Sequence, residues 1–253
     1  MPPLQATSQP MAIPRVLVVD DDSVARQYLA EVLQALGAQV ELADCGSRAH
    51  ALARAQRYDL LVVDRRLPDA EAGAWLQSLR ADPAAQSRTT KALVHSAELQ
   101  PADRDRLLAA GFAAAHEKPV PHQALDALLG ARAQTQAPSP AIPAGDEPPV
   151  LDDAAALEAC GSREILAGLR QLLHAELAQH RRDLSQAFAS KDRVAIDALA
   201  HRLTGAARYC GTPALLVALS RLHAGAPDLP VADLDQVLAA IDTLAAHLAP
   251  RRA

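Results

Sequence analysis

Val16-Leu17-Val18-Val19-Asp20-Asp21 is an unbroken apolar run that ends in two adjacent carboxylates. The same design returns at Leu60-Leu61-Val62-Val63-Asp64 and at Ala92-Leu93-Val94-His95-Ser96, and more weakly over 112–116, ahead of Lys118 and Pro119. Short apolar runs bounded by polar residues read as strands buried on both faces of a parallel sheet. Amphipathic helices are expected over 23–36, 46–56, 73–81, 101–110 and 121–129. The first half therefore alternates strand and helix five times, as a doubly wound α/β sheet does. In such a sheet, ligands bind at the carboxyl ends of the strands. Asp20, Asp21, Asp64, Ser96 and Lys118 should converge there. Three carboxylates, a hydroxyl and an ammonium suit a divalent cation and a phosphoryl group.

This pattern resembles the receiver domain of bacterial response regulators, from about residue 15 to 130. The Asp20-Asp21 pair, Asp64 with Leu67-Pro68 behind it, Ser96-Ala97 and Lys118-Pro119 carry the likeness. The resemblance implies a flavodoxin-like five-stranded fold with Asp64 as phosphoacceptor. It makes Asp20 and Asp21 the Mg²⁺-binding pair, Ser96 the hydroxyl that contacts phosphoryl oxygens, and Lys118 the family's cation. Mg²⁺ takes octahedral oxygen ligands and keeps several waters. Asp21 and Asp64 are expected to bind it directly, and Asp20 through water. Arg66, two residues after Asp64, and Ala115, where the family often has an aromatic residue, depart from the pattern, as does the spacing between Pro68 and Gly73.

The 253 residues allow one or two domains, and half of them are hydrophobic although only 2% are aromatic. A net charge of −5 with no basic, aromatic-interleaved cluster argues against a nucleic-acid partner. Three widely spaced cysteines show no metal or redox spacing and fit a reducing cytoplasm. No stretch reaches the roughly 18 apolar residues of a membrane span. Residues 1–13 read as a disordered tail, 14–130 as the receiver domain, and the proline- and alanine-rich 131–150 as a semi-extended linker. Beyond 150 only helical periodicity is present, over 162–190, 192–210, 213–223 and 232–248. Long helices with short turns predict an antiparallel four-helix bundle over 151–250.

Within that bundle, Ile196, Leu199, Leu203, Ala206 and Cys210 recur at spacings of three and four and define a buried stripe. His201 lies off the stripe and is expected to face solvent, with Asp197, Thr204, Gly205 and Arg208 on the same outer face. A glycine in a helix interior costs about 1 kcal/mol relative to alanine. One turn from an exposed histidine, it clears room for another backbone. The string Ala200-His201-Arg202-Leu203-Thr204-Gly205 resembles the phosphoacceptor motif of histidine-containing phosphotransfer (HPt) domains, with 151–247 matching their bundle size. The resemblance makes His201 a second phosphoacceptor and Thr204, Gly205 and Arg208 its docking face. Thr204 stands where a lysine is common. The other histidines carry no such signature, and His95 and His116 are expected as packing or edge residues.

Together these features predict a two-component phosphorelay protein. Asp64 would receive phosphate from a histidine kinase, and His201 would exchange it with Asp64 or with the aspartate of a separate response regulator. ATP-binding kinase motifs are absent from the sequence, so the only enzymology expected is Mg²⁺-dependent self-phosphorylation and slow hydrolysis. Two other readings stay open. The helical half could be an output module that binds a protein or RNA, or the bundle could drain phosphate from a response regulator back onto Asp64.

Overall fold

The structure is a computed structural model that describes residues 13–129, 148–224 and 231–249. The expected tail, apart from Ile13, and the expected linker, apart from its last three residues, lie outside the described residues. The first part runs β1 (Arg15–Val19), α1 (Ser23–Ala35), β2 (Gln39–Ala43), α2 (Gly46–Ala55), β3 (Leu60–Asp64), β4 (Arg66–Leu67), β5 (Ala70–Glu71), α3 (Ala72–Ala81), β6 (Lys91–Ser96), α4 (Pro101–Ala109), β7 (Ala114–Glu117) and α5 (His122–Leu129). Five parallel strands form one sheet in the order β2-β1-β3-β6-β7. The last strand begins two residues later than the apolar run suggests, because Gly111 takes a positive φ of 104° in the turn before it.

The unusual spacing after Pro68 resolves into a small antiparallel hairpin, β4-β5. Asp69 at its turn accepts hydrogen bonds from the backbone N–H of Gly46 (2.7 Å) and Ser47 (2.8 Å). It thereby caps α2, whose own N-cap residue, Cys45, makes no side-chain cap bond.

Side-chain alternation divides the sheet. Val16, Val18, Leu60, Val62 and Leu93 belong to the core on the α1 side, while Leu17, Val19, Leu61, Val63, Ala92 and Val94 belong to the core on the α2–α3 side. Both faces are covered, which is why the strands read as continuous apolar runs rather than alternating ones.

The second part is helical: α6 (Asp153–Cys160), α7 (Arg163–Ala189), α8 (Arg193–Cys210), α9 (Pro213–Ala224) and α10 (Val231–Leu248). The short α6 was not legible as a separate helix. Asp152 caps its start and Gly161, at φ 71°, ends it. The predicted stripe of α8 is buried as expected, with Ile196, Leu203 and Cys210 at 0% exposure. Asp192 caps this helix through the N–H of Ala195 (3.0 Å), and Gly211 terminates it at φ 62°.

The two parts share a core. Helix α1 has seven buried residues among thirteen, far more than one face supplies. One side packs on the sheet and the other receives α7 and α8. Tyr28 of α1 stacks on Tyr209 of α8 with ring centroids 4.6 Å apart, and one apolar cluster runs from Val16 and Val18 through Tyr28 to Leu169, Leu203 and Ile241.

Truncation of Leu203 to alanine should cost about 2–5 kcal/mol, the range for removing a buried leucine from a packed core. Urea unfolding of the full chain measures this, and a loss below about 1 kcal/mol would mean that α8 packs through other residues.

Candidate functional site

Strand register builds the site. Val19 pairs with Val63, so the next residues along, Asp20 and Asp64, lie side by side. Asp64 pairs with His95, and His95 with His116. These four residues have the same parity as Val18, Val62, Leu93 and Ala114, so they continue the α1-side face past the end of its apolar core. Lys118, one step beyond β7 and joined to Pro119 by a cis peptide, reaches back over this row. Its Nζ hydrogen-bonds Asp64 Oδ2 and lies 2.8 Å from Asp20 Oδ2. All three side chains are essentially buried.

The electrostatics follow from one ammonium serving two carboxylates. Burial raises Asp20 well above its ordinary range, Lys118 pulls it back, and the charge on Asp64 raises it again. Burial would also raise Asp64, but Lys118, with help from His201 and His95, holds it well below the usual carboxylate range. Desolvation alone would lower Lys118, yet Asp20, Asp64 and Asp22 raise it well above an ordinary lysine. Asp64 is thus kept ionised. Its Oδ1 accepts the N–H of Arg66 at 2.8 Å, which fixes the carboxylate plane. Asp21 is raised by burial and by the charge on Asp64. Among the described residues, ligand atoms of Asp20, Asp64 and His95 lie within 4.8 Å of one another, a group that could hold a metal ion, and the charge on Asp64 reaches Asp21 beside it. Ser96 is buried at the end of β6 and lines a cleft of about 210 Å³ together with Arg65, Arg66, Gln100, His201 and Thr204.

His95 is a site feature that the sequence reading placed only as packing or edge. It is fully buried, its Nε2 stands 3.6 Å from Asp20 Oδ2, and neither ring nitrogen has a hydrogen-bond partner. Burial first, then the nearby Lys118 charge, pushes it down to about 3, so it is a neutral wall. Strand register was the available signal: His95 ends a run two residues from Leu93, opposite Asp64. His116, the other residue taken as packing, is half-buried beside it on β7.

The expectation that His201 faces solvent is overturned. It does lie off the α8 stripe, but the α/β part covers it and leaves its side chain 12% exposed. Nε2 points at Asp64 Oδ1 from 3.9 Å and has no hydrogen-bond partner. Thr204 and Gly205 are likewise buried rather than open. Thr204 turns its hydroxyl to Ala200 O (2.8 Å), so it supplies no positive charge in the lysine position. Gly205 sits on Asp22 and Lys118: a Cβ there would meet Asp22 Oδ2 at 2.8 Å and Lys118 Nζ at 3.5 Å. Arg208 Nε is buried without a hydrogen-bond partner. Two contacts were not foreseen. Ser23 Oγ donates to Glu176 of α7 at 2.7 Å, and Arg202 Nη1 stands 3.6 Å from Asp21 Oδ2.

Replacement of Lys118 by methionine leaves two buried carboxylates uncompensated. It should cost about 3–5 kcal/mol without divalent cation, partly recovered by MgCl₂. Thermal melts in both conditions test this; an unchanged midpoint in metal-free buffer would show the pair to be energetically idle. Gly205→Ala gains helix propensity of up to about 1 kcal/mol. Its methyl displaces Asp22, whose Oδ1 caps α1 through Val24 N at 2.9 Å. In the full chain the variant should therefore hold the bundle less closely on the α/β part, seen as faster alkylation of Cys160, which is 5% exposed beside α1.

Residues 16–129 match the Response regulator receiver domain family, and residues 168–247 match the Hpt domain family. Sensor protein GacS of Pseudomonas syringae pv. syringae is 28% identical over 98% of this chain. Virulence sensor protein BvgS of Bordetella pertussis is 32% identical over 85%. The chain spans 28% and 19% of the length of those two relatives. Among solved structures, the receiver domain of sensor histidine kinase PA1611 from Pseudomonas aeruginosa, with magnesium in its active-site cleft, aligns at 29% identity. It covers 47% of this chain and 95% of that one, with a TM-score of 0.42.

Proposed function

From the premise that this chain belongs to the two-component phosphotransfer proteins, as a response regulator receiver domain followed by an Hpt domain, we propose that it passes a phosphoryl group between its own Asp64 and His201. The carrying observation is the approach of His201 Nε2 to Asp64 Oδ1, 3.9 Å apart with the nitrogen unpartnered. In transfer from aspartate to histidine, the Nε2 lone pair attacks phosphorus, the P–N bond forms, and the P–O bond to Oδ1 breaks. The electron pair of that bond returns to the carboxylate, and the imidazole proton leaves from Nδ1 to solvent. The reverse step runs through the same atoms.

Around that line, Lys118 holds Oδ2 and faces the oxygens of the transferring group, and Ser96 presents its hydroxyl from the end of β6. The backbone N–H of Arg66 steadies Oδ1. Positioning and charge compensation supply most of the catalysis in phosphoryl transfer. Bound Mg²⁺, held by Asp21 and Asp64 directly and by Asp20 through water, would neutralise charge on the phosphoryl oxygens. A near-attack distance of about 3–3.5 Å between nitrogen and phosphorus asks the docked domains to part slightly once Asp64 is phosphorylated.

In this reading residues 14–130 form the receiver and 151–250 the bundle. A histidine kinase loads Asp64, and a separate response regulator takes phosphate from His201 or returns it there. The chain works in the cytoplasm, in keeping with three free cysteines. Among the described residues, no helix is long and apolar enough to cross a membrane. The reading of the bundle as an RNA- or protein-binding output module loses its motive once His201 sits over Asp64.

Acetyl phosphate with MgCl₂ should label the wild-type chain first on Asp64 and then on His201, at a rate independent of protein concentration. Asp64→Asn should remove both labels, and His201→Gln should leave only the acyl phosphate. Histidine labelling that survives Asp64→Asn, or scales with concentration, would refute transfer within one chain.

A further inference from the structure

Arg202 follows the phosphoacceptor histidine directly, and docking carries it onto the receiver. Its Nη1 stands 3.6 Å from Oδ2 of Asp21, with Arg202 34% and Asp21 14% exposed. Arg202 Nε is buried without a hydrogen-bond partner, and among the described residues the only ion pair of its guanidinium is the one to Asp21. Asp21 in turn has no other ion pair among the described residues. It bears the repulsion of Asp64 across the site, since Lys118 is committed to Asp20 and Asp64.

We propose that Arg202 is a specificity-determining docking residue that competes with the divalent cation for Asp21, so that Mg²⁺ binding and closure of the bundle onto the receiver oppose one another. This rests on Asp21 being a metal ligand. Mg²⁺ needs oxygen ligands at about 2.0–2.1 Å in near-ideal octahedral geometry and keeps several waters around it. A guanidinium 3.6 Å from Oδ2 of the same carboxylate competes for that oxygen and adds a like charge beside the metal. Without metal, the same guanidinium supplies the positive charge that Asp21 lacks and holds the bundle in register. A separation of 3.6 Å marks a loose pair, which the cation can displace. Linkage is reciprocal: whatever Arg202 contributes to closure it takes from metal affinity, and the metal loosens closure by the same factor. A partly exposed pair of this kind sets the size at about two- to fivefold. The receiver of another protein would meet the same arginine, so a partner whose aspartate pair carries metal would be bound less readily than one without.

Calorimetric titration of MgCl₂ into the full chain tests this, with Arg202→Gln removing charge while keeping length, and Arg202→Lys restoring charge. The expected result is two- to fivefold tighter Mg²⁺ binding in Arg202→Gln and a value near wild type in Arg202→Lys. Closure is read separately by alkylation of Cys160, which is 5% exposed and sits close to Tyr28 and Glu31 of α1. MgCl₂ should speed its alkylation in wild type and do so less in Arg202→Gln. Asp21→Ala separates the two ideas. If it abolishes Mg²⁺ binding while Arg202→Gln leaves affinity unchanged or weaker, the competition is wrong and the metal site stands. Should Asp21→Ala bind Mg²⁺ as wild type does, the metal-ligand reading itself falls, and this inference with it.

Discussion

The Lys118 ammonium, buried between Asp20 and Asp64, is the interaction on which the rest of the site is built. Two carboxylates taken out of water beside one another could not both stay charged without it. It reaches them because β7 ends beside β6 and the backbone N–H of Lys118 bonds Ser96 O at 2.8 Å, which brings the side chain back across the row of strand ends. Asp64 gains the tighter contact and remains a carboxylate, while Asp20 bears more of the desolvation. The pocket therefore sets one ammonium against the carboxylates of Asp20, Asp21 and Asp64 and is short of positive charge.

Docking of the bundle uses different physics. Its centre is the aromatic pair Tyr28 and Tyr209, and among the described residues polar pairs cross it at Ser23 with Glu176, Asp21 with Arg202 and Asp64 with His201. Apolar burial gives adhesion without direction, so the polar points and the Gly205 gap set which atoms meet. Asp22 shows what that arrangement costs. Its Oδ2 is buried against Gly205 without a partner, and burial pushes its carboxyl up to about 6, against the pull of Lys118. Helix α1 therefore has two tasks, closing the sheet core on one side and receiving α7 and α8 on the other.

Much of this was legible in the chain. Strand ends could be placed from apolar runs because a doubly covered parallel sheet needs them, and Asp20, Asp21, Asp64, Ser96 and Lys118 sit at those ends. The α8 stripe could be read from a spacing of three and four, and it put His201 outside the bundle core. His95 escaped because a histidine closing an apolar run looks like packing until register sets it against Asp64. The Asp69 cap on α2 escaped because its partner lies 22 residues away.

Sequence alone determined what each part is, since periodicity and residue type are local properties of the chain. Only the tertiary structure decided that the histidine faces its own aspartate rather than solvent. That outcome depends on the second buried side of α1, on the missing Cβ of Gly205 and on where Arg202 lands. None of these has a periodicity of its own, because each arises from two surfaces far apart in sequence meeting in space.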